Sequence, residues 1–495
     1  MDKVGFSSKD TLNLLRKDIR DNVKNFVEED DRDVLLMQYQ PGVGKTTGVV
    51  STIMDNNYTM AFFGPDHASV EKNVIAPYGL DHLKGKNQLC QNPRKAELVG
   101  LGLLENAYTC AKCEFEGVCQ YKKMQYEFYP EPTSFGAVHA HIPYLTSFVE
   151  ENYYQLIVID ENFLGSMFRG GEFTNRRIYN NLELLYAMDR SDERDYIIRF
   201  FKDLNTLLLT GDFELENMRG YDLEAFGKEY HRFLLDRLYD RKKVYYNDVQ
   251  TVVDFLSSGR EIVIERRIVD TGFRKIFYAD LYRYDFTPLD VTQQIIILDA
   301  TTPKEIYEGI FKPFDKEIVV HKPKIKARSR LYQLTTHSYP MKYLNNKDIR
   351  KRLFNICKGI TKKYKDEKVF FCIRKKFKEE LEEYLSGSNN ALVAHYGGVR
   401  GLNDYLDATV AVLIGAPFPN PDIVKLKSRA MKVRQEYITQ MECNEEMLQT
   451  IHRIRPLLKD ASDVFILSNV NSGYEAEEIK EIPITQLEDL LEIRG

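Results

Sequence analysis

The sequence predicts an α/β protein of two domains in which strands alternate with helices, interrupted by two insertions. A chain of 495 residues is too long for a single hydrophobic core, which stops growing at about 250–300 residues. Apolar runs of strand length occur near both ends of the chain, and several of them lead into glycine-rich or acidic loops. Between these runs lie a local cluster of cysteines and a long stretch with helical apolar spacing.

The composition is that of an ordinary globular protein, with 29% charged and 43% hydrophobic residues. The longest apolar run, Ala408–Ile414, is far shorter than the roughly 18 residues that cross a bilayer. Residues 1–20 lack the apolar core of a signal peptide, so we expect a cytoplasmic protein without a membrane partner. The net charge of −5 does not mark the whole chain as a nucleic-acid binder, although a local basic groove would be enough for one.

The first predicted element is a strand at Asp33–Gln38, followed by a glycine-rich loop at residues 39–47 and a helix at Gly48–Asp55. Glycines let the backbone N–H groups of such a loop turn inward around phosphate oxygens, and the helix that follows points its positive end at them. The sequence therefore predicts a nucleotide site. The predicted nucleotide-binding residues of the loop are Gly42, Val43, Gly44, Lys45, Thr46 and Thr47.

Two side chains of the loop and two acids further along have predicted chemical roles. Lys45 is predicted to reach the β- and γ-phosphates of ATP, and Thr46 to hold Mg²⁺. A second apolar strand, Leu156–Ile159, ends in Asp160 and Glu161. In phosphate-loop ATPases an acid at this point coordinates Mg²⁺, and its neighbour can deprotonate the attacking water. Acids after a buried strand are also common as helix caps, so this assignment depends on the loop upstream.

Later segments resemble, in the expected order, the motifs of superfamily 2 helicases. A strand that runs into Pro-Phe-Pro-Asn-Pro is a feature of the XPD/DinG branch of that superfamily. Many members relax the first loop position, where Tyr39 stands here in place of glycine, whereas Asp299 replaces the usual serine of motif III. The segments are Phe62–His67 (motif Ia), Ile295–Thr302 (motif III), Lys368–Ile373 (first strand of a second domain), His395–Asp404 (motif V), Val410–Pro421 and Gln449–Arg455 (motif VI).

Motif VI implies cations that reach over from the second domain and stabilise charge in the transition state. The pattern normally has glycine where His452 stands, and its second arginine comes one residue later than Arg455. Arg453 is therefore predicted as the arginine finger and Arg455 as its catalytic partner. Gln449, at the start of the motif, is predicted to contact the nucleotide.

Four of the seven cysteines fall within thirty residues. A local cluster in a chain without a secretion signal indicates metal binding more than a disulfide framework. Their spacing fits tetrahedral or cubane ligation, and zinc remains open as the alternative. Their position between motif Ia and the Asp160 strand is where the XPD/DinG family carries an inserted iron–sulfur domain, so the resemblance implies a [4Fe–4S] cluster. The predicted ligands are Cys90, Cys110, Cys113 and Cys119.

The resemblance implies two RecA-like domains, the first of which holds a cysteine-cluster insertion and a mostly helical, Arch-like insertion. Helical spacing covers residues 181–209 and 222–256, a hairpin is predicted from 261–265 and 275–279, and the acidic end, residues 475–495, is helix-prone. The predicted divisions are 1–85, 126–165 and 285–325 for the first motor domain, 86–125 for the cysteine insertion, 166–284 for the Arch-like insertion, and 326–495 for the second motor domain.

The implied function is an ATP-dependent DNA helicase that translocates 5′ to 3′ on single-stranded DNA and acts at duplex junctions. Another nucleic-acid-dependent ATPase, such as a packaging motor, is one alternative, although the segment resembling motif VI stands where such a motor would carry a nuclease-like acidic cluster. A zinc-ribbon nucleic-acid-binding module with weak ATPase activity is the other. The presence of Lys45, Asp160, Glu161 and Arg453 argues against a decayed site.

Overall fold

The computed structural model describes residues 8–29, 33–104, 107–111, 113–128, 134–145, 154–211, 223–256, 263–272, 275–323, 326–399, 404–459 and 461–493. Residues 400–403 of the segment resembling motif V, residues 261–262 of the predicted hairpin and residue 222 of the second helical stretch lie outside these ranges. In the described part of the chain, no helix combines the length and the apolar composition that crossing a bilayer requires.

The strands alternate with helices over most of the chain, as the sequence predicts. In chain order the strands are β1 (Val34–Met37), β2 (Met60–Gly64), β3 (Asp81–His82), β4 (Phe135–Val138), β5 (Leu156–Asp160), β6 (Phe168–Thr174), β7 (Val263–Asp270), β8 (Lys275–Tyr284), β9 (Gln294–Leu298), β10 (Ile318–His321), β11 (Ala327–Leu334), β12 (Lys368–Ile373), β13 (Ala391–His395), β14 (Ala408–Ile414), β15 (Ser462–Leu467) and β16 (Ala476–Ile482).

The helices vary from single turns to more than five turns. The α-helices are Ser8–Glu28, Lys45–Asp55, His67–Val70, Ala76–Tyr78, Lys86–Leu89, Lys95–Gly100, Ala107–Ala111, Gln120–Phe128, Leu164–Met167, Asn175–Tyr186, Asp192–Thr210, Leu223–Tyr239, Asp248–Leu256, Lys304–Phe311, Met341–Leu344, Lys347–Lys363, Lys378–Tyr384, Pro421–Met431, Gln435–Ile451 and Ile484–Leu490. Short 3₁₀ segments include His452–Ile454 and Pro456–Leu458, which follow the Gln435–Ile451 helix.

Two parallel sheets form the two lobes of the molecule. The first lobe has seven strands in the order β10-β1-β9-β5-β2-β4-β3, and the second has six in the order β13-β12-β14-β15-β11-β16. Their central strands are almost continuously apolar and buried, as expected for parallel sheets covered on both faces. In the first sheet β1, β9 and β5 are neighbours, so the loops at their carboxyl ends meet at one place.

The two lobes are in contact through their apolar surfaces. One cluster of buried side chains continues from the Ser8–Glu28 helix through the first sheet to the inner face of the second sheet. A second cluster joins the other face of the first sheet to Val424, Ile438 and Met441, on two helices of the second lobe. The cleft between the lobes is therefore closed in this structure.

The stretch between β5 and β9 forms a separate body with its own core. It holds a three-stranded antiparallel sheet, in the order β6-β8-β7, and four of the longer helices. Its core also includes Leu98, Leu103 and Leu104, so the segment that follows Cys90 packs against this body. The backbone N–H of Asn247 donates to the carbonyl of Leu101 at 3.0 Å, which fixes that contact.

The structure differs from the sequence prediction in two regions. Each stretch with helical spacing is divided into two helices, and Ser191 starts the second helix of the first pair because its hydroxyl accepts the N–H of Arg194. The acidic end of the chain, expected to be helical, begins instead with the strand β16. This strand forms because it pairs with β11, and only the segment after it, Ile484–Leu490, is a helix.

Candidate nucleotide site

The glycine-rich loop lies between β1 and the Lys45–Asp55 helix. Gly42 and Gly44 adopt φ values of 89° and 91°, a left-handed conformation that glycine enters without strain. Lys45 turns back across the loop, and its Nζ donates to the carbonyl of Tyr39 at 2.8 Å. The loop therefore has the backbone conformation that the sequence predicts for a phosphate cradle.

Thr46 and Asp160 meet at the carboxyl edge of the sheet. The Thr46 hydroxyl donates to Asp160 Oδ2 at 2.7 Å, and Asp160 is buried. Burial raises the pKa of Asp160, while the hydrogen bond from Thr46 and the charge of Lys45 oppose that rise. Burial likewise lowers the pKa of Lys45 against the pull of Asp160 and Glu161. A hydroxyl and a carboxylate held together beside a cation can hold Mg²⁺.

Glu161 has a backbone conformation unusual for its residue type. Its φ is 66°, and its N–H donates to the carbonyl of Leu298 at 3.1 Å. A non-glycine residue in the left-handed region is uncommon, and such residues cluster at functional sites. Asp160 is buried whereas Glu161 is exposed, so the two neighbouring carboxylates have different surroundings.

Asp299, which takes the place of serine in the segment resembling motif III, organises a tight turn after β9. It is 2% exposed, and its Oδ1 accepts the backbone N–H groups of Thr301 and Thr302 at 2.9 and 3.2 Å. Its Oδ2 accepts the hydroxyl of Tyr307 at 2.6 Å. The Thr301 hydroxyl also donates to Oδ1 at 3.1 Å. The longer carboxylate thus accepts four hydrogen bonds that fix the turn, more than one serine oxygen could.

A chain of hydrogen bonds, which we call the interlobe relay, links four residues and joins the two lobes. It begins at Gln38, directly before the glycine-rich loop. Gln38 Nε2 donates to the carbonyl of Thr302 at 2.6 Å. Asn162 Nδ2 donates to Thr302 Oγ1 at 3.3 Å and to Glu445 Oε2 at 3.1 Å. Glu445 lies on the Gln435–Ile451 helix of the second lobe. The sequence prediction did not include Asn162 or Glu445 as site residues.

The segment resembling motif VI lies at the end of that helix. Gln449 Nε2 donates to Glu445 Oε1 at 3.2 Å, so Gln449 joins the interlobe relay. Arg455 lies against the loop: a Cβ at Gly42 would be 3.0 Å from Arg455 Nη1. Arg455 has a φ of 53° and lies between the His452–Ile454 and Pro456–Leu458 segments. The contact across the cleft is therefore made by the arginine that the sequence treated as the partner of Arg453.

His452 is neutral in this setting. Burial, followed by the positive charges of Lys45, Arg455 and Arg453, lowers its pKa to about 3. These causes also locate Arg453 close enough to act on the same imidazole. The second lobe thus brings Arg455 to the loop and Arg453 beside His452, and the imidazole adds no further charge at neutral pH.

The four predicted ligand cysteines line one pocket, here called the cysteine pocket, between β3 and β4. All four are half-buried, and Asn92 Nδ2 donates to Cys113 Sγ at 3.6 Å. Lys86, which is buried, and Lys122 line the same pocket. The described residues contain no group of three or more side chains already at metal-binding geometry, so the donor types fit a metal centre while their arrangement is incomplete.

The segment resembling motif Ia is only partly at the surface. Phe62 and Phe63 lie inside β2 and are buried, whereas Asp66 is exposed and caps the next helix by accepting the N–H of Ser69 at 2.8 Å. His67 Nδ1 is 2.9 Å from His82 Nε2. The part of this segment that a ligand could reach is therefore its last three residues.

The chain is similar to several solved structures. The structure of S. tokodaii Xpd4 covers 94% of this chain and 99% of its own length, with a TM-score of 0.53 and 15% identity. Truncated XPD covers 62% of this chain and 99% of its own length, with a TM-score of 0.37 and 13% identity. S. cerevisiae Dbp5 bound to RNA and ADP BeF3 covers 96% and 92%, with a TM-score of 0.39 and 9% identity.

No protein-family profile matches the sequence, and no curated protein matches it significantly. The likeness to Xpd4 extends over nearly the whole of both chains. The fold is therefore similar to that of S. tokodaii Xpd4, in line with the fold that the resemblance in the sequence implied.

Proposed function

We propose that this protein is an ATP-driven helicase that moves along single-stranded DNA and separates duplexes. The observation that carries the proposal is the contact of Arg455, from the second lobe, with the glycine-rich loop of the first. A nucleotide bound in that loop would lie between the lobes, so its hydrolysis would change the contacts that hold the cleft closed.

The residues of the first lobe have complementary roles in this proposal. Lys45 binds the terminal phosphates, and the paired Thr46 and Asp160 hold Mg²⁺, which neutralises phosphate charge when bound. Glu161 orients and deprotonates the attacking water. The low pKa of Lys45 relative to an ordinary lysine reflects a buried cation whose natural partner is an anion.

The second lobe supplies the transition-state cation. Arg455 is the arginine finger in this proposal, because it lies against Gly42 of the loop. Arg453 supports Arg455 from its place beside His452. The interlobe relay gives hydrolysis a route to movement, because Asn162 directly follows the Asp160–Glu161 pair and donates to Glu445 of the other lobe.

The cysteine pocket is proposed to hold a [4Fe–4S] cluster through Cys90, Cys110, Cys113 and Cys119, with zinc as the alternative. Four half-buried thiols lining one pocket beside two lysines are a suitable donor set. Such a centre would fix the segment between β3 and β4 against the body that follows β5. Iron and sulfide analysis together with visible absorbance of anaerobically purified protein distinguishes the two metals.

The test is ATP hydrolysis with and without single-stranded DNA, followed by strand displacement on tailed duplexes of both polarities. Wild-type protein is expected to hydrolyse ATP faster when DNA is added and to need a 5′ tail for displacement. Lys45→Ala should abolish hydrolysis, while Lys24→Ala, at an exposed surface pair with Glu28, should not. A fully active Lys45→Ala protein would refute the site.

A further inference from the structure

The Ser8–Glu28 helix packs unusually closely on the helix that follows the glycine-rich loop. A Cβ at Gly48 would be 2.9 Å from Cγ2 of Ile19, so only glycine permits this approach. The packing face of the first helix is an apolar stripe with helical spacing. The buried residues of this stripe are Leu12, Leu15, Ile19, Val23 and Phe26.

Hydrogen bonds fix the helix along its length. Tyr39, the residue that replaces glycine at the start of the loop, is fully buried, and its hydroxyl donates to Asp18 Oδ2 at 2.8 Å. His321, at the end of β10, contacts the same oxygen at 2.9 Å. Near the other end of the helix, Gln294 Nε2 donates to the carbonyl of Phe26 at 3.0 Å. Tyr39 thus lacks the backbone flexibility of glycine but links the loop to the N-terminal helix.

Arg16 lies two residues before that anchor and reaches the loop. Its Nε donates to the carbonyl of Val43 at 3.4 Å. A Cβ at Gly44 would be 3.6 Å from Arg16 Nε and 4.0 Å from its Nη2. Within the described ranges this is the one hydrogen bond of the guanidinium, and Arg16 is exposed, so its terminal nitrogens are accessible to a ligand.

We propose that Arg16 binds the polyphosphate chain of the nucleotide, an assignment that rests on the proposed function. Guanidinium groups bind phosphate oxygens with charge-assisted, often paired hydrogen bonds. Arg16 lies beside Gly44 and Arg455 beside Gly42, so the loop has an arginine near each of its two glycines. Arg455 belongs to the other lobe and leaves the loop when the cleft opens, whereas Arg16 is fixed to the lobe that carries the loop. Arg16 therefore binds ADP as well as ATP.

The test is equilibrium binding of ATP, ADP and adenosine to the full chain, monitored by calorimetry. Arg16→Gln is expected to weaken the binding of ATP and ADP by about tenfold or more, the usual contribution of a charge-assisted phosphate contact. The binding of adenosine should be unchanged. Arg16→Lys should recover part of the affinity because it keeps the charge. Arg20→Gln, one turn further along the same helix and exposed, is the matched control.

Each outcome decides something. If Arg16→Gln binds ATP and ADP like the wild type while Lys45→Ala does not, Arg16 has no binding role and the proposed function stands. If Arg16→Gln weakens the binding of adenosine as much as that of ATP, Arg16 acts on the adenosine part of the nucleotide and the phosphate assignment is wrong. If the wild-type chain binds no nucleotide, the proposed function fails and this inference fails with it. Equal thermal unfolding midpoints for the variants show that any lost affinity is not lost folding.

Discussion

The glycine-rich loop and the cysteine pocket both carry polar side chains, but they differ in how those side chains are held. Around the loop, Thr46 bonds to Asp160 and Asn162 bonds to Glu445 across the lobes. In the cysteine pocket the four thiols face a common space without reaching metal-binding geometry among the described side chains. On the proposed function, the loop is thus largely preorganised for its nucleotide, whereas a metal would complete the pocket.

The largest expected effect comes from removing the contact between the lobes at the glycine-rich loop. Arg455→Ala should lower the maximal rate of DNA-stimulated ATP hydrolysis by about 10³-fold, the lower range for loss of an arginine finger. Arg453→Ala should lower it by less, since the contact with Gly42 belongs to Arg455. Steady-state hydrolysis at saturating ATP measures both variants. The reverse order of the two effects would return the finger role to Arg453.

The next effect tests whether the cysteine pocket depends on its ligand. Cys113→Ser should weaken metal binding by more than about 10²-fold, because losing a ligand exceeds the 10–100-fold effect of losing an outer partner. The same variant should make the segment between β3 and β4 more sensitive to protease. Cys357→Ala, in the buried face of the Lys347–Lys363 helix, is the control and should retain all the metal. Metal retained by Cys113→Ser would exclude this pocket.

A smaller effect concerns the pH dependence of the first lobe. Burial lowers the pKa of His139 to about 4, although a hydrogen bond to the carbonyl of Asp160 opposes the shift. Between the ordinary histidine pKa of about 6.5 and about 4, the unfolded chain binds more protons, so stability falls as the pH falls through that window. The total is of the order of 3 kcal/mol.

His139→Gln should flatten this dependence, since glutamine keeps a donor for the Asp160 carbonyl but does not titrate. Denaturant unfolding at several pH values between 4 and 7 measures it. His452 also titrates low and is present in both proteins, so the difference between the two curves reports His139 alone. Parallel curves would show that folding does not lower the pKa of His139.

The smallest expected effect concerns the interlobe relay. Asn162→Ala removes the two hydrogen bonds that link Thr302 to Glu445, each worth about 1 kcal/mol. The duplex unwound per ATP hydrolysed should therefore fall by up to about thirtyfold, the factor that corresponds to about 2 kcal/mol. Glu445→Gln should have a similar effect, and the double variant should be no worse than either single one. Full additivity would mean that the two residues act separately.

The sequence was sufficient for the elements that depend on local pattern. The loop around Lys45, the acids after β5 and the strand at Lys368–Ile373 follow from apolar runs with defined ends. The interlobe relay could not be predicted, because the contact of Asn162 with Glu445 joins residues 283 positions apart. The N-terminal helix did leave a signal, the repeated apolar spacing before β1, but its meaning depends on Gly48 and Tyr39.

The strand β16 shows the opposite case, in which local composition misleads. Its sequence, with three glutamates and a lysine among seven residues, favours a helix by propensity, and the strand results from its pairing with β11.

The charged residues of β16 also have a consequence for solubility. β16 is the outermost strand of the second sheet, and its five central residues are exposed. A charged outer strand discourages neighbouring molecules from adding to the sheet, so replacing these glutamates with valine should convert a monodisperse protein into one that aggregates.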